Sequence, residues 1–440
     1  LGGGRGGLLA LGALLPGGHG SFLSPSPAAR QYADRVDAGP RRCHTPDMER
    51  SDDELVLRAR VQRASEQVRP TRAEVDLDRI AANFRAIRAE ADRPLLAVVK
   101  CDAYGHGSIP VARRLAEEGA AGFGVALAEE GLELRKAGVG GMVLVLNGVF
   151  GDAHREVLRE GLTPVVYRVD ELERFAAAAD GAPFGIHLKV DTGMSRLGVL
   201  LGDLDAFLDG FERFRERGAT IDGVMTHLAS AEADPAMTTR QLDAFDDALR
   251  RLGARGHQPR WRHAANSAAT LKHPRARYDL VRTGGALWGH PGYDARSEDL
   301  DVCLAMRLRT EVVALRDLPV GETVGYGGTF RTTRPTRIAT LPVGYGDGFV
   351  RFQSNVGHVI IRGRRCPIAG RISMDLTGVD VTDLPEVTLG DEAVLLGSQG
   401  AETLSVEEVA EACGTIPYEI FTSVSARVPR FYGPGRLAPT

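Results

Sequence analysis

The clearest indication of fold is a series of short apolar segments, beginning after Ala73, that alternate with amphipathic segments such as Leu204 to Arg217. Short apolar runs separated by helical patterns are typical of βα units, whose strands pair in parallel. The apolar runs recur about every 20 to 30 residues. We predict strands at Leu95 to Val99, Gly122 to Ala126, Met142 to Leu146, Pro164 to Tyr167, Ile186 to Val190, Gly223 to Thr226 and Leu280 to Val281. This pattern favours an α/β fold with a (β/α)8 barrel of the TIM type.

An open, doubly wound parallel sheet is the alternative architecture for the same pattern. Such a sheet commonly carries a GxGxxG turn after an early strand, and no such motif follows the first predicted strands here. Polar residues instead cluster directly after the predicted strand ends, where barrel enzymes place their catalytic residues. The barrel is therefore the favoured interpretation.

A second region begins at about Cys303, where the helical patterns largely disappear. Glycine-rich turns follow, GYGG at 325 to 328 and GYGDG at 344 to 348, and glycine supplies backbone angles that other residues avoid. The predicted strands are Leu308 to Leu315, Thr336 to Leu341, Val356 to Ile361 and Glu392 to Leu396. We therefore predict a barrel over residues 71–303 and a mainly β domain over residues 304–440.

Residues 1–70 differ in composition, being rich in Gly, Pro, Ser and Arg, and we expect a disordered or non-native extension there. Arg5 followed by Leu8 to Leu15 partly matches a secretory signal, but the apolar run is interrupted and carries one positive charge. An extension produced by an early start assignment is favoured, since Met48 precedes the first stretch with helical periodicity. No later run reaches ~18 apolar residues, so no transmembrane helix is expected.

The charge and the cysteines limit the classes of function. Lys and Arg number 54 and Asp and Glu 58, which gives a formal net charge of -4 and no basic surface for nucleic acid. The five cysteines are scattered and form no CxxC pair, which argues against a disulfide framework and a zinc site. We expect a cytoplasmic protein with small-molecule partners and no metal.

A lysine ends the first predicted strand, in the segment LLAVVKCDAYGHG at 95 to 107. An isolated lysine at a strand end is ordinarily a solvated charge. A desolvated lysine, however, can have a lowered pKa and form a Schiff base with an aldehyde cofactor. Tyr104 and the glycines at 105 and 107 suit contact with a phosphate or a ring. Lys100 is therefore the first candidate catalytic residue.

Lys100 lies in the first of nine motifs that follow one another along most of the chain. They are AVVKCDAYGHG at 97 to 107, LKVDTGMSRLG at 188 to 198, THLASAE at 226 to 232, HAANSA at 263 to 268, VRTGGALWG at 281 to 289, VGYGGTF at 324 to 330, LPVGYGDGF at 341 to 349, GRISMD at 370 to 375, and YEI with ARVPR between 418 and 430. From about residue 71 to its end, the sequence resembles the alanine racemases. These are fold-type III pyridoxal-phosphate enzymes in which a barrel precedes a β domain.

The resemblance implies a homodimer with shared active sites that interconverts L- and D-alanine through a pyridoxal-phosphate aldimine. Lys100 would hold the cofactor and exchange the α-proton on the D-alanine side. Tyr326, from the partner subunit, would be the base on the L-alanine side. A tyrosine needs positive neighbours to act as a base, and Arg196 and His227 are candidates for that role. Without the resemblance, Tyr326 would be interpreted as an ordinary surface or packing tyrosine.

Further cofactor contacts are implied by the same motifs. Arg282 matches the family arginine that hydrogen-bonds the pyridine nitrogen, where a permanently charged donor leaves that nitrogen neutral and suppresses transamination. His227 would pack against the cofactor ring, although a lone histidine after an apolar strand is more often a core residue. The residues expected to bind the cofactor or its phosphate are Tyr104, Asn266, Ser267, Gly284, Gly285 and Tyr418.

Lys189 lies near Arg196 in LKVDTGMSR, and the family often carries a carbamylated lysine at this place. A carbamate would convert a repulsive cation pair into an attractive one. The ordinary alternative is an unmodified lysine paired with Asp191. Arg196 would orient Tyr326 or contact the substrate carboxylate.

The substrate region also resembles the family. Met374 and Tyr345 would line it from the partner chain, with Asp375 alongside, although Met374 in isolation would be interpreted as a core residue. The residues that match an access corridor are Arg351, Arg371 and Glu232. The departures from the family pattern are Ser373 for cysteine, Cys101 and Asp102 for Ala-Asn, and Glu232 for aspartate. These departures concern substrate access and latitude and leave the reaction type unchanged.

Three functions fit such a chain. The leading one is an alanine racemase that supplies D-alanine for peptidoglycan. A broad-specificity or serine racemase is the second, since one hydroxyl changes binding by only ~1–3 kcal/mol. A non-catalytic pyridoxal-phosphate carrier is the third, and the β domain with Tyr326 argues against it. A related decarboxylase is also compatible with the fold, but such enzymes have an acidic residue at the position of Arg282, and the arginine therefore argues against this function.

Overall fold

The computed structural model describes residues 68–290, 292, 300 and 302–433. The predictions for residues 1–67, including the extension and the partial signal match, lie outside this range. The strands are β1 Arg72–Val75, β2 Leu95–Val98, β3 Gly122–Val125, β4 Met142–Val145, β5 Thr163–Val166, β6 Phe184–Asp191, β7 Val199–Leu200, β8 Ala219–Met225, β9 Trp261–His263, β10 Val281–Thr283, β11 Met306–Glu311, β12 Ala314–Leu318, β13 Thr323–Val324, β14 Phe330–Arg331, β15 Thr336–Leu341, β16 His358–Ile361, β17 Arg364–Pro367, β18 Thr377–Asp380, β19 Glu392–Gln399, β20 Glu402–Leu404 and β21 Arg430–Tyr432. The α-helices of the described residues are α1 Leu77–Ala91, α2 Ser108–Glu117, α3 Ala128–Lys136, α4 His154–Arg159, α5 Val169–Ala179, α6 Leu204–Arg215, α7 Pro235–Ala254, α8 Ser267–Lys272, α9 Val406–Cys413 and α10 Pro417–Ser423.

Eight parallel strands form the predicted barrel. Their order is β10-β2-β3-β4-β5-β6-β8-β9, with the two-residue β7 added to β6. The barrel is nearly closed between its last two strands, where the amide N–H of Arg282 donates to the carbonyl of Ala265 over 3.0 Å. The fold class inferred from the apolar runs is therefore confirmed.

Successive side chains of the barrel strands point to opposite faces of the sheet and form two separate apolar clusters. The inner cluster contains Leu96, Val98, Leu144, Val165, Met225 and Leu280. The residues between them, such as Leu95 and Ala97, join the larger cluster that includes the buried faces of the surrounding helices. Helix α1 shows how those faces arise, since Ile80, Phe84 and Ile87 repeat at helical spacing and are all buried. The Asp76 side chain caps the same helix.

The second domain contains more strands and helices than the sequence predicted. Its larger sheet has the order β17-β16-β19-β11-β1-β21, with β20 on β19, and a smaller sheet has the order β12-β15-β18. Strand β1 lies in the range predicted for the barrel, yet it pairs antiparallel with β11 and parallel with β21. The predicted strand from Leu308 to Leu315 is two strands in different sheets, because the chain turns at the buried Val312 and the exposed Val313. Helices α9 and α10 were not predicted.

Strand β9 was also missed from the sequence. Its three residues, Trp261, Arg262 and His263, contain too little apolar character to give a strand signal. Among the described residues, no group of His, Cys, Asp and Glu side chains could hold a metal ion. Within the same residues, no helix combines the length and the apolar character needed to cross a membrane.

Candidate active site

Four of the candidate polar side chains lie at the carboxyl ends of barrel strands. Lys100 follows β2, Lys189 lies in β6, His227 follows β8, and Arg282 lies in β10. Their charges act on one another. Burial first, and then the charges of Arg282, Arg196 and Lys100, lower the pKa of Lys189 to about 8. The mouth of the barrel therefore gathers positive charge in a partly desolvated site, which favours an anionic ligand.

The chain after Lys100 forms a left-handed helical turn. Cys101, Asp102, Ala103 and Tyr104 have φ angles of 52°, 54°, 52° and 53°. The turn has helical hydrogen bonds, with the amide of Ala103 donating to Val99 and that of Gly105 donating to Cys101. Left-handed backbone costs about 1–2 kcal/mol per residue for L-amino acids. The surrounding contacts must therefore hold this turn, which places Lys100 and Tyr104 on the same side of the site.

One departure from the family pattern has a structural role in this turn. The Asp102 carboxylate accepts a hydrogen bond from the amide of Ser108 over 2.7 Å. Gly107, which precedes that serine, has a φ of 92° and approaches Tyr432 so closely that a Cβ would lie 1.8 Å from the phenol oxygen. Asp102 thus helps to join the turn to the start of α2.

Arg282 is buried, and its hydrogen-bond acceptors in the described part of the chain are all neutral. Its guanidinium donates to the carbonyls of Thr226 at 2.8 Å and Ala264 at 3.1 Å, and to Nδ1 of His263 at 3.1 Å. Burial lowers its pKa to about 10. Among the described residues it forms no ion pair, so its charge remains available to a ligand. The arginine predicted to face the pyridine nitrogen is therefore held rigidly at the site.

The histidine next to Arg282 belongs to a buried pair that the sequence did not reveal. Because a guanidinium only donates, Nδ1 of His263 must accept, and its proton is on Nε2. That nitrogen lies 3.0 Å from Nδ1 of His187, which must accept in turn. Burial holds the pKa of His187 to about 3 and that of His263 well below its usual range. Both rings are neutral and their tautomers are fixed.

A small polar cradle lies beside Arg282, after β10. A Cβ added to Gly284 would lie 2.7 Å from the phenol oxygen of Tyr104, and one added to Gly285 would lie 2.6 Å from that of Tyr418. The Ser267 hydroxyl accepts from the amides of Gly284 at 3.1 Å and Ala286 at 3.4 Å. Two phenols, a hydroxyl and two glycines without side chains thus converge, in an arrangement that suits a phosphate group.

Tyr104 connects the cradle to Lys100. The Nζ atom of Lys100 lies 5.9 Å from the centroid of the Tyr104 ring, which packs at 5.7 Å against Trp288 and at 5.8 Å against Tyr418. Burial, and then the nearby Tyr418 phenol, raise the pKa of Tyr104 above its ordinary value. Its hydroxyl therefore remains protonated and can donate to an anion.

His227 lies beside Arg282, and its loop is held by a buried glutamine. Burial, followed by the charges of Arg282 and Lys189, holds the pKa of His227 well below its usual range. Gln241 of α7 donates to the His227 carbonyl at 3.2 Å and accepts from the amide of Ala229 at 2.8 Å. His227 is thus a neutral ring at the mouth of the barrel, and the expectation that it supplies positive charge beside Tyr326 is wrong.

The ordinary alternative for Lys189 was an ion pair with Asp191. One oxygen of Asp191 accepts instead from the amides of Gly193, Met194 and Ser195 at 2.9, 2.9 and 3.1 Å. Within the described part of the chain, no ion pair joins it to Lys189. The Asp191 carboxylate therefore shapes the loop after β6, and the buried Lys189 ammonium is left among cations.

The residues predicted to act from the partner chain lie on the surface of the β domain. Tyr326 is 72% exposed, Met374 52% and Tyr345 43%. The segments that carry Tyr345 and Met374 are adjacent, since the amide of Tyr345 donates to the carbonyl of Ser373 at 3.0 Å and that of Gly346 donates to the carbonyl of Met374 at 2.9 Å. Among the described residues, no hydrogen bond, ion pair or ring contact joins these three side chains to Lys100 of the same chain. They are thus positioned to meet another surface.

The remaining candidates have separate positions. Arg371 is exposed beside the Tyr326 turn, where a Cβ on Gly327 would lie 3.0 Å from its guanidinium. Arg351 is exposed at the start of a 3-10 turn, and Glu232 is half-buried. Asp375 forms an ion pair with Arg427 at 2.7 Å. The Asn266 side chain accepts from the amide of Ala269 and caps α8, which gives it a local structural role.

Several site residues were missed from the sequence. His187, His263 and Gln241 carry no charge and touch the site through other residues, so no motif distinguished their roles. A signal did exist for His187, because it alternates with Lys189 and Asp191 along β6 and must share their face of the strand. Polar side chains on the inner face of a barrel strand were therefore a usable clue.

Comparison with known proteins identifies the family of both domains. The family model of the alanine racemase N-terminal domain matches residues 75–291, and that of the alanine racemase C-terminal domain matches residues 305–432. The alanine racemase of Sorangium cellulosum is 44% identical over 83% of this chain and 99% of its own length. That of Symbiobacterium thermophilum is 43% identical over 83% of this chain and 98% of its own length.

Solved structures give the same result. Alanine racemase from the D-cycloserine producer Streptomyces lavendulae is 37% identical, with a TM-score of 0.78 over 84% of this chain and 98% of that one. Alanine racemase from Bacillus anthracis, solved with bound L-Ala-P, is 35% identical, with a TM-score of 0.77 over 83% of this chain and 95% of that one. Sequence and fold agree, and the chain belongs to the alanine racemase family.

Proposed function

We propose that this protein is a pyridoxal-phosphate-dependent alanine racemase that interconverts L- and D-alanine. The observation that carries the proposal is that Lys100, at the end of β2, and the buried Arg282, on the neighbouring β10, lie at one barrel mouth, and that the partners of Arg282 within the described residues are all neutral. A lysine and an unneutralised arginine at one barrel mouth suit a cofactor that offers an aldehyde to the first and a ring nitrogen to the second.

The residues at the mouth fit this cofactor. Its phosphate would lie in the cradle of Tyr104, Tyr418, Ser267 and the glycine pair, where a Cβ on Gly284 or Gly285 would occupy the space. The neutral His227 would pack against the ring. When bound, pyridoxal phosphate supplies a conjugated ring that acidifies the α-hydrogen of an attached amino acid. A guanidinium donor at the pyridine nitrogen leaves that nitrogen unprotonated, which moderates this effect.

Racemisation requires a proton acceptor on each face of the α-carbon. Lys100 would exchange the proton at its Nζ atom on the D-alanine side. Tyr326 would act at its phenol oxygen on the L-alanine side, in the site of a partner subunit. Its 72% exposure supports this assignment, because a side chain that acts in the site of a partner subunit has to project from the surface of its own chain. The exposed Met374 and Tyr345 would line the same shared site.

Lys189 would carry a carbamate. Its pKa of about 8 gives the neutral amine that reaction with carbon dioxide requires, and burial beside Arg282 and Arg196 disfavours the ammonium. A carbamate anion would neutralise the surplus cations and orient Arg196 toward the Tyr326 phenolate or the substrate carboxylate.

The biological role we propose is supply of D-alanine for peptidoglycan. The Bacillus anthracis relative was solved with L-Ala-P, which supports an alanine-sized ligand. The described cysteines Cys101, Cys303, Cys366 and Cys413 are free thiols, which fits a reducing cytoplasm.

The test is complementation between two inactive variants. Lys100→Ala and Tyr326→Phe protomers are each expected to racemise alanine at least about 100-fold more slowly than the original protein. In a mixed dimer, one of the two shared sites would contain both bases, so activity should return toward one half. A verified mixed dimer without activity would overturn the shared site, and racemisation by the Lys100→Ala homodimer at the original rate would overturn the role of Lys100. Original protein that is loaded with pyridoxal phosphate and racemises no alanine would overturn the function.

A further inference from the structure

The left-handed turn after Lys100 starts with a backbone N–H that the turn itself does not satisfy. The first N–H groups of a helix have no acceptor within it, whichever its hand. Cys101 donates instead to a carboxylate oxygen of Glu130 over 2.6 Å. Glu130 belongs to the next βα unit, so this hydrogen bond crosses from one strand end of the barrel to its neighbour.

The second oxygen of Glu130 caps its own helix. It accepts from the amides of Ala126 at 2.7 Å and Leu127 at 3.1 Å, just before α3 begins. The Glu130 carboxylate therefore accepts hydrogen bonds from the left-handed turn and from the start of the right-handed helix α3. Strands β2 and β3 are paired directly beneath it, with the amide of Val99 donating to Gly124 at 2.8 Å. The Cys101 hydrogen bond extends that pairing past the end of the strands.

The far side of the turn is held by the C-terminal segment. Arg430 donates to the carbonyl of Gly105 at 3.1 Å. A Cβ on Gly105 would lie 2.4 Å from the carbonyl oxygen of Phe421 in α10, which shows how closely the two segments pack. The end of the turn thus has its own contacts, whereas its beginning, beside Lys100, depends on Glu130.

We propose that Glu130 is a positioning residue for Lys100: its carboxylate holds the first N–H of the left-handed turn and so fixes the backbone from which the lysine side chain extends. This inference rests on the proposed function. A lysine that moves a proton must lie within about 3 Å of the reacting atom, and small displacements lower the rate without removing substrate contacts.

Glu130→Asp separates this role from helix capping. Aspartate keeps the charge and can still cap α3, but its side chain is shorter by one bond of about 1.5 Å and should not reach Cys101. Glu129→Asp is the matched control, since Glu129 is an exposed acidic residue in the same first turn of α3. The unfolding midpoint of both variants should stay close to that of the original protein.

The first readout needs no racemase activity. Cys101 is an exposed thiol at the start of the turn, and its alkylation by iodoacetamide can be followed by peptide mass spectrometry. Release of the turn should make Cys101 react at least about threefold faster in Glu130→Asp, through local opening, and leave Glu129→Asp unchanged. If Glu130→Asp does not fold, hydrogen exchange of the Cys101 amide is followed in Glu130→Gln. Alkylation there would also respond to loss of the Glu130 charge, because burial, and then that charge, raise the pKa of the thiol. The one acceptor oxygen of glutamine should stay with the amides of Ala126 and Leu127, so the Cys101 amide should exchange at least about threefold faster.

The second readout is kinetic. In Glu130→Asp, kcat and the exchange of the α-hydrogen of D-alanine with deuterium oxide should fall about tenfold, with KM within twofold of the original. Unchanged alkylation and kcat in Glu130→Asp would overturn the inference, as would equal changes in Glu129→Asp. If the original protein racemises nothing while Cys101 responds as expected, the proposed function fails and the structural role of Glu130 stands.

Discussion

The Arg282 guanidinium donates to Nδ1 of His263 over 3.1 Å, and this contact fixes the protonation of both residues. A carboxylate in the place of His263 would neutralise the arginine. The neutral imidazole orients it instead and leaves its positive charge to act on a ligand. The site thus combines a rigid cation with a strand-end lysine.

Arg282→Lys should damage both activity and stability. A lysine cannot replace all the hydrogen bonds that the guanidinium donates to the carbonyls of Thr226 and Ala264 and to the ring of His263, and a buried acceptor without a donor costs about 1–3 kcal/mol. We expect the free energy of unfolding, measured in urea, to fall by that amount and kcat/KM to fall at least about tenfold. Arg262→Lys is the control, because Arg262 forms only an exposed pair with Asp279. Equal losses in the two variants would contradict the role of Arg282.

Gly284→Ala should weaken cofactor binding. The added Cβ would lie 2.7 Å from the Tyr104 phenol oxygen, and overpacking of this kind costs ~1–3 kcal/mol. Titration of the apo protein with pyridoxal phosphate should show about a tenfold weaker Kd. Gly253→Ala is the matched control, since a Cβ there has no neighbour within 4 Å. Unchanged affinity in Gly284→Ala would remove this cradle as the phosphate site.

Tyr326→Phe should act on one face of the substrate only. Loss of the phenol should slow solvent exchange of the α-hydrogen of L-alanine at least about 100-fold, while exchange of D-alanine through Lys100 persists. Because the side chain is 72% exposed, the unfolding midpoint should not change. Hydrogen exchange in deuterium oxide measures both rates, and an equal fall in the two would refute the assignment.

Lys189 should make stability depend on pH in the unmodified protein. Its pKa is lowered from 10.5 to about 8 in the fold, so between those values the unfolded chain holds more protons and stability rises with pH. Without bicarbonate, the unfolding midpoint should therefore rise across that window more than it does in Lys189→Met.

Bicarbonate should remove most of this difference, because a carbamate does not titrate as an amine. If the unfolding midpoint depends on pH in the same way in the original protein and in Lys189→Met, with and without bicarbonate, the amine of Lys189 neither titrates in this window nor reacts.

The sequence allowed prediction of the elements with strong local patterns. Seven barrel strands and Lys100 were predicted from apolar runs and from the residue that ends the first one. Strand β1 was not assigned to the second domain, because its partners β11 and β21 lie far away in the chain and no local pattern records pairing. The predicted roles of Tyr326 and Met374 depend on a second chain.

The left-handed turn could not be predicted at all. Cys101, Asp102 and Ala103 have side chains that disfavour such backbone, and it persists because Glu130, Arg430 and the C-terminal segment hold it. The buried pair of His187 and His263 was hidden for a similar reason, since their tautomers follow from a tertiary contact with Arg282. Sequence patterns predict which residues reach the site more readily than what holds them there.

The central claim is that Lys100 holds pyridoxal phosphate covalently, and the chain makes this simple to test. It contains only four lysines, Lys100, Lys136, Lys189 and Lys272. Reduction of the pyridoxal-phosphate-loaded protein with borohydride, followed by peptide mass spectrometry, locates the attached lysine. We predict the cofactor mass on the peptide containing Lys100 and on no other. A reduced adduct on Lys189, or protein that gains no cofactor mass, would contradict the claim.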